Sequence, residues 1–117
     1  MVFKSGRALA AALLATGCIA SSPRPILVAG PLDLARGSER YPDLTADELA
    51  TGRTLFAGRC TRCHPAPEPV SLSPEAWPAQ VAEMKVRAHL DASQSRLIER
   101  YLVTMALGSQ SESGSSR

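Results

Sequence analysis

Aromatic residues are scarce in this chain, which has one Trp, two Tyr and two Phe among its 117 residues. So few rings make a thin core for a single domain of about 100 residues, unless another apolar body packs against it. Net charge is scarce as well, because the formal value is +2 and Lys4 and Arg7 account for all of it. The rest of the chain is formally neutral, which argues against a nucleic-acid-binding surface.

Two further patterns are missing. The sequence has no internal repeats, and no β-type alternation of apolar and polar residues surrounds its cysteines. No acid–base pair or nucleophile with a neighbouring base stands out as a catalytic set. These absences favour an all-α protein that is not an enzyme and converts no small-molecule substrate.

Only three cysteines are present, and two of them lie in the run Cys60-Thr61-Arg62-Cys63-His64. This C-x-x-C-H spacing is the attachment signature of a c-type haem. The thiols of Cys60 and Cys63 would form thioethers with the haem vinyl groups, and His64 would be the proximal iron ligand. A single covalent haem would also supply the apolar body that the core lacks.

The same residues allow two other chemistries. A redox-active dithiol of the thioredoxin type needs a preceding strand and a βαβ context, which the sequence lacks. A structural zinc ion needs four ligands. Outside the motif, only His89 and Cys18 could supply the fourth. Haem attachment is therefore the favoured interpretation.

The N-terminus has the layout of a bacterial export signal. Lys4 and Arg7 form a short basic region, and the apolar run that follows over residues 8–15 is too short to span a bilayer. Two small residues then precede Cys18, which resembles the lipobox of bacterial lipoproteins, where cleavage exposes a cysteine that carries diacylglycerol. The alternative is an ordinary signal peptide with an incidental free thiol at Cys18.

Lipidation of Cys18 would give every cysteine a role, two on haem and one on lipid. It would anchor the exported protein on the periplasmic face of a bacterial membrane. Ile19 stands where an Asp often retains lipoproteins at the inner membrane, so the outer membrane is favoured. Covalent haem attachment in bacteria takes place outside the cytoplasmic membrane, so the export signal and the haem motif agree.

Composition divides the chain into four parts. We expect a signal peptide at 1–17, a flexible tether at 18–43, a haem domain at 44–107 and a disordered tail at 108–117. Proline, glycine and serine without sustained periodicity predict the tether. A composition dominated by serine and glycine predicts the tail.

Three helices are predicted within the domain. The first begins with a capping box at Thr45 and Glu48 and ends just before the haem motif. The second begins after an N-cap at Ser73, with proline in its first turn. The third begins at Asp91 and runs to Leu107, where the following glycine would stop it.

This order of helix, haem motif, helix and helix resembles a class I cytochrome c. Residues 52–64 are similar to the family's G-x-x-L-F-x-x-x-C-x-x-C-H, and residues 98–102 resemble its I-x-x-Y-L. The resemblance implies a small cytochrome c-like fold of about three helices around one covalently attached haem. It also implies that Gly52 and Phe56 on the first helix meet Tyr101 on the last.

The resemblance further implies a methionine sulfur as the sixth iron ligand. Met84 is the expected ligand, because residues 77–84 resemble a family segment in which a helix starts with Trp and a Met near its end faces iron. The second helix should therefore loosen near Met84, and residues 85–90 should form a loop. His89, Met105 and an open position remain alternatives.

Other residues near the motif give less specific indications. The carbonyl of Pro65, Pro67 or Pro69 would face the outer nitrogen of His64 and fix its ring. The Trp77 indole would donate to a haem propionate, or it would simply pack in the core. Four basic residues would either surround the haem edge and attract an acidic partner or form a solvated face: Arg59, Arg62, Lys85 and Arg87.

Taken together, these features predict a lipid-anchored, monohaem c-type cytochrome that carries single electrons between periplasmic or membrane-bound redox proteins. Two other functions use the same cofactor. A haem-based gas sensor would need an open or displaceable sixth position. An electron-transfer subunit of a periplasmic dehydrogenase complex would remain bound to a larger catalytic chain.

Overall fold

The computed structural model describes residues 24–114, and the expected all-α fold is confirmed there, because this range contains helices and no strand. The elements are α1 (Pro31–Arg40), α2 (Ala46–Arg59), a 3₁₀ turn (Pro69–Ser71), α3 (Trp77–Arg87) and α4 (Ala92–Gly114). Within this range, no helix has both the length and the apolar character that crossing a bilayer requires. The expected signal peptide and Cys18 lie outside the described residues.

The predicted N-caps of α2 and α4 are confirmed, but the capping box predicted at α2 is only half present, because the Glu48 side chain does not return to Thr45. Thr45 Oγ1 accepts a hydrogen bond from the Glu48 N–H at 3.1 Å. At α4 the Gln94 N–H donates to Asp91 Oδ1 at 2.8 Å, and the Asp91 N–H donates to Gln94 Oε1 at 3.1 Å. The Glu48 carboxylate faces α4, where it accepts a hydrogen bond from Arg100 at 3.0 Å. The caps therefore follow local sequence, and the Glu48 side chain serves a tertiary contact.

Helix α1 lies where a tether was predicted, so the prediction for 18–43 is wrong from Pro31 to Arg40. Proline is favoured in the first turn, because its missing N–H has no helical partner there. The Asp33 carboxylate accepts a hydrogen bond from the N–H of the N-cap glycine at 2.8 Å. A Cβ on Gly37 would lie 2.6 Å from Thr104 Oγ1, so this glycine lets α1 pack closely on α4.

Helix α3 begins three residues later than predicted, at Trp77 instead of Pro74. The Ala76 N–H donates to the Ser73 carbonyl at 3.0 Å and to Ser73 Oγ at 3.3 Å, which makes a single turn before the helix. The helix proper begins at Trp77, and its first turn contains Pro78. Ser73 thus caps a turn and not the helix.

Helix α4 runs further than predicted. It continues through Gly108 to Gly114, so the expectation of a disordered tail at 108–117 is wrong as far as Gly114. A Cβ on Gly108 would lie 2.5 Å from Arg36 Nη1, which brings this part of α4 against α1. The missed helix α1 therefore explains the extension, because it gives the end of α4 a partner.

Helix α4 is central to the fold and packs against α1, α2 and α3. A Cβ on Gly52 would clash with the Leu97 carbonyl oxygen and lie 2.9 Å from Tyr101 Cβ, so α2 and α4 approach closely there. The rings of Phe56 and Tyr101 are 6.0 Å apart at an interplanar angle of 41°. The predicted contact among Gly52, Phe56 and Tyr101 is confirmed.

Two side chains hold the segment before α1 against the domain. The buried Tyr101 hydroxyl donates to the Leu27 carbonyl at 2.6 Å. The Arg53 guanidinium donates to the Ile26 carbonyl at 2.8 and 3.0 Å and to the Leu27 carbonyl at 3.1 Å. Ile26 itself packs against the core. The ordered domain thus begins well before residue 44.

Candidate functional site

Helix α2 presents the C-x-x-C-H motif at its C-terminal end. Cys60 is the C-cap, and its N–H donates to the Phe56 carbonyl at 3.0 Å. Its side chain is half-buried against the core, and this burial raises the pKa of the Cys60 thiol. Cys63 is exposed, and neither cysteine is in a disulfide. Both thiols are therefore free to form a covalent attachment.

The imidazole of His64 is oriented by the residue that follows it. Its Nδ1 lies 2.9 Å from the Pro65 carbonyl oxygen. A carbonyl can only accept, so Nδ1 carries the proton and Nε2 keeps its lone pair. Of the three prolines considered, Pro65 supplies the carbonyl. An imidazole held through Nδ1 with a free Nε2 has the arrangement of a metal-ligating histidine.

Cys60 and His64 both line an apolar crevice at the end of α2. The other residues that line it are Phe56, Pro67, Trp77, Gln80, Val81, Met84, Leu90, Ile98 and Leu102. The crevice thus lies where α2, α3 and α4 meet. Its volume is about 50 Å³, which is too small for a planar macrocycle unless the walls of the crevice move apart.

Trp77 holds one wall of the crevice in place. Its indole N–H donates to the Pro69 carbonyl at 2.7 Å, and the side chain is buried. The structure thus has the second of the two predicted arrangements, in which Trp77 packs in the core and its N–H is used within the protein. The bond ties the start of α3 to the 3₁₀ turn.

Of the three candidate side chains for the sixth ligand, only Met84 lines the crevice with His64. Met84 is half-buried on α3. Met105 is buried elsewhere along α4, and His89 is exposed beyond the end of α3. The geometry therefore places a thioether, and neither the second imidazole nor the second methionine, in the same cavity as the motif.

The end of α3 differs from the prediction, because the helix does not loosen at Met84. The Ala88 N–H donates to the Met84 carbonyl at 2.8 Å, and the Leu90 N–H donates to the Lys85 carbonyl at 3.0 Å. His89, with φ of 51°, takes the left-handed position that ends many helices. Leu90 is then buried in the crevice. An apolar contact after the cap thus replaces the expected loop.

The basic residues near the motif have different surroundings. Arg59 and Arg62 lie on either side of Cys60 in the chain, and Arg62 is exposed. Arg87 forms an ion pair with Glu83 on the same exposed face of α3, with an N–O distance of 3.6 Å. Such a pair contributes little to stability and partly offsets the charge of Arg87.

The donor set suits haem better than a bare metal ion. Among the described residues, no three His, Cys, Asp or Glu side chains lie close enough to hold a metal together, so the zinc interpretation has no ligand set there. An imidazole with a free Nε2, a thioether and free thiols next to an apolar crevice match what a c-type haem requires. The residues present therefore fit that group.

Sequence reasoning did not single out two residues of the crevice wall, Gln80 and Leu90. Gln80 lies one helical turn before Met84, and this i, i+4 spacing was the signal that could have placed it in the same wall. Leu90 carried no comparable signal, since its position depends on how α3 ends. No protein-family model, curated protein or solved structure matches this chain. What the site can do therefore follows from its donor atoms and the crevice that they share.

Proposed function

We propose that this chain is a monohaem c-type cytochrome that carries single electrons between redox proteins. The observation that carries the proposal is that the Cys60 thiol, the His64 imidazole and the Met84 thioether line one apolar crevice. Cys60 and Met84, which are the farthest apart in the chain, are separated by 24 positions. Cys60 lies at the end of α2, His64 in the turn after it and Met84 on α3. Their convergence is what attachment and ligation of a haem require.

Four residues would hold the cofactor. Cys60 and Cys63 would bind haem c through thioethers, His64 would be the proximal iron ligand, and Met84 would be the sixth ligand. Bound in this way, haem would supply a one-electron iron couple, and ligation by the Met84 sulfur would raise its reduction potential. The half-buried position of Cys60 and the exposed position of Cys63 would leave one edge of the group accessible from solvent.

The part played by the protein is to hold the ligands in place. The Pro65 carbonyl fixes the His64 ring through Nδ1. Aliphatic and aromatic side chains form the walls of the crevice that His64 and Met84 share, although His64 itself is exposed. Ligands that are held by backbone contacts and packing change little between two oxidation states, which favours fast electron transfer over substrate chemistry.

The proposal includes a location and partners. Export and lipidation at Cys18 would anchor the protein on the periplasmic face of a bacterial membrane, with the outer membrane favoured. Its partners would be redox proteins that dock transiently where the haem edge is exposed. A nucleic acid or a small-molecule substrate has no place in this function.

An optical spectrum of the purified, haem-loaded protein tests the proposal. We expect a low-spin spectrum, a weak near-infrared sulfur-to-iron band when oxidised, and no spectral change with CO when reduced. A high-spin spectrum with rapid CO binding would overturn the electron-carrier proposal in favour of a gas sensor. Stable co-purification with a larger catalytic chain would instead make it a subunit of a dehydrogenase complex.

Three variants identify the sixth ligand. Met84→Ala should abolish the near-infrared band, lower the reduction potential and open the iron to CO. Met105→Ala and His89→Ala are matched controls, because each removes one of the other candidate ligands from outside the crevice. Both should keep the band and the potential of the unaltered protein. Loss of the band in either control, with retention in Met84→Ala, would refute the assignment.

A further inference from the structure

Exposed apolar side chains occur close together in the chain just before α1 and in its first turn. Among the described residues, five large apolar side chains are more than half exposed. Leu27, Val28 and Leu32 lie within six residues of one another, with 54%, 73% and 74% of their surfaces exposed. Val70, at 51%, lines the same surface cavity as Leu27. We call these four residues the apolar face; the fifth, Val86, lies on α3.

The apolar face is held rigidly relative to the domain. Its backbone at Leu27 accepts hydrogen bonds from the buried Tyr101 hydroxyl and from Arg53. Leu32 belongs to the first turn of α1, which packs on α4. The backbone that carries Leu27 and Leu32 is thus attached to the domain by hydrogen bonds and by helix packing.

The position of the apolar face in the chain identifies what covers it. Ile26, the first residue that Arg53 holds, lies eight positions after Cys18 in the chain. Eight extended residues reach about 28 Å at most, so a lipid on Cys18 keeps this end of the domain within that distance of the bilayer. Exposed Leu and Val side chains that are brought to a lipid–water interface gain by entering it.

We propose that the apolar face lies on the membrane surface, with Leu27, Val28, Leu32 and Val70 in contact with lipid. This inference rests on the lipidation of Cys18 proposed above. It also orients the molecule, because Phe56 and Pro67 line both the cavity behind Leu27 and the crevice of the candidate site. The crevice therefore lies beside the membrane-facing surface, and a partner would reach it close to the bilayer.

A nitroxide spin label tests the contact. The full lipidated, haem-loaded protein is reconstituted in vesicles of phosphatidylethanolamine and phosphatidylglycerol, with a label on Leu32→Cys. The matched control carries the label on Val86→Cys, because Val86 is 78% exposed and lies outside the apolar face. The rate at which each label collides with dissolved oxygen, which concentrates in lipid, is compared with the rate at which it collides with a water-soluble nickel chelate.

The reference sample is the same labelled chain without acyl groups, in solution without detergent. Relative to this sample, we expect the label at position 32 on vesicles to collide at least about tenfold less often with the nickel chelate. Its oxygen collisions should rise, and the label at position 86 should change in neither respect. Equal nickel access at both positions would overturn the proposal. Protection of position 32 from both reagents would also overturn it, since a protein would then cover the face.

Intact mass and absorbance separate this inference from the proposed function. Absence of acyl mass on Cys18 would refute lipidation, and the docking proposal would be refuted with it. Absence of a covalent haem would refute the electron carrier, and the label measurement would then be made in Cys60→Ser/Cys63→Ser, so that only the introduced cysteine carries the label. A protein that carries both groups and still exposes position 32 to nickel would refute the docking proposal alone.

Discussion

At the scale of single residues, Gly52 sets the distance between α2 and α4. Any Cβ at this position would clash with the Leu97 carbonyl oxygen and would lie 2.9 Å from Tyr101 Cβ. Backbone cannot move aside as a flexible side chain can, so the two helices would have to separate. Because Phe56 lies one turn further along α2 and lines the crevice, this crossing also supports the candidate site.

Gly52→Ala should therefore destabilise the protein by about 1–3 kcal/mol. Gly58→Ala is the matched control, because it lies on the same helix and a Cβ there would meet nothing within 4 Å. The control should stabilise the helix by about 0.5–1 kcal/mol, since alanine favours helix over glycine. Unfolding in denaturant measures the change in the free energy of unfolding for each variant. Changes of the same sign in the two variants would contradict this account of the helix crossing.

Tyr101 gives the folded protein a pH dependence in the alkaline range. Burial raises the pKa of Tyr101 to about 12 from an ordinary value of 10.0. Between these values the folded state keeps a proton that the unfolded state has lost, so stability is complete below pH 10 and falls as the pH rises toward 12. Burial also raises the pKa of Tyr41, which adds to the same slope.

Tyr101→Phe should reduce this slope without abolishing it, because Tyr41 still titrates. At pH 7 the variant should lose about 1 kcal/mol, the usual contribution of one hydrogen bond, here the bond to the Leu27 carbonyl. Free energies of unfolding at pH 8, 10 and 11.5 provide the measurement. Tyr41→Phe is the comparison variant, and identical slopes in Tyr101→Phe and the unaltered protein would be inconsistent with the assignment.

At the scale of elements, local capping was predictable and tertiary partnership was not. The starts of α2 and α4 follow from Thr45 and Asp91, whose side-chain oxygens accept hydrogen bonds from the backbone N–H groups three residues further along. The C-x-x-C-H motif is likewise local, so Cys60, Cys63 and His64 could be identified as candidate site residues from the sequence. Helix α1 was not predicted because the role of its glycine, Gly37, depends on a tertiary contact. Gly37 allows α1 to approach Thr104 on α4, which the local sequence does not reveal. The end of α3 was missed because it depends on where Leu90 is buried.

The predicted domain boundary at residue 44 provides a test of α1. A haem-loaded chain that begins at Leu44 removes α1 and the carbonyl partners of Arg53 and Tyr101. It also removes Leu34 and Ile26, which pack against the core. We expect a loss of at least about 2 kcal/mol relative to a chain that begins at Arg24, since one buried aliphatic side chain contributes about 1.5–3 kcal/mol.

Thermal unfolding of the two shortened chains measures the difference, and the chain that begins at Arg24 serves as the control because it keeps every described contact. Hydrogen exchange of the α4 amides near Thr104 provides a second readout, since α1 covers that part of α4. Unchanged unfolding and unchanged exchange in the shorter chain would restore the interpretation of residues 24–43 as a tether.

At the scale of the whole molecule, three helices meet at the crevice with few large side chains to fill the space between them. The described core contains only Phe56, Trp77 and Tyr101 as fully buried aromatic residues. The remaining core positions are aliphatic or small. A covalent macrocycle in the crevice would join the end of α2 to α3 through His64 and Met84, and so link elements that otherwise meet through side-chain packing alone.

Removing the attachment should therefore weaken the entire fold. In Cys60→Ser/Cys63→Ser the thioethers cannot form, and we expect the thermal midpoint to fall by roughly 8–16 °C, which corresponds to a loss of about 2 kcal/mol in a domain of this size. Calorimetry of this variant and of the haem-loaded protein gives the difference. Cys18→Ser in a chain exported by an unrelated signal peptide is the control, because it removes a cysteine outside the domain. Equal midpoints for all three proteins would show that the fold is complete without haem, and the crevice would then have to be explained as ordinary packing among α2, α3 and α4.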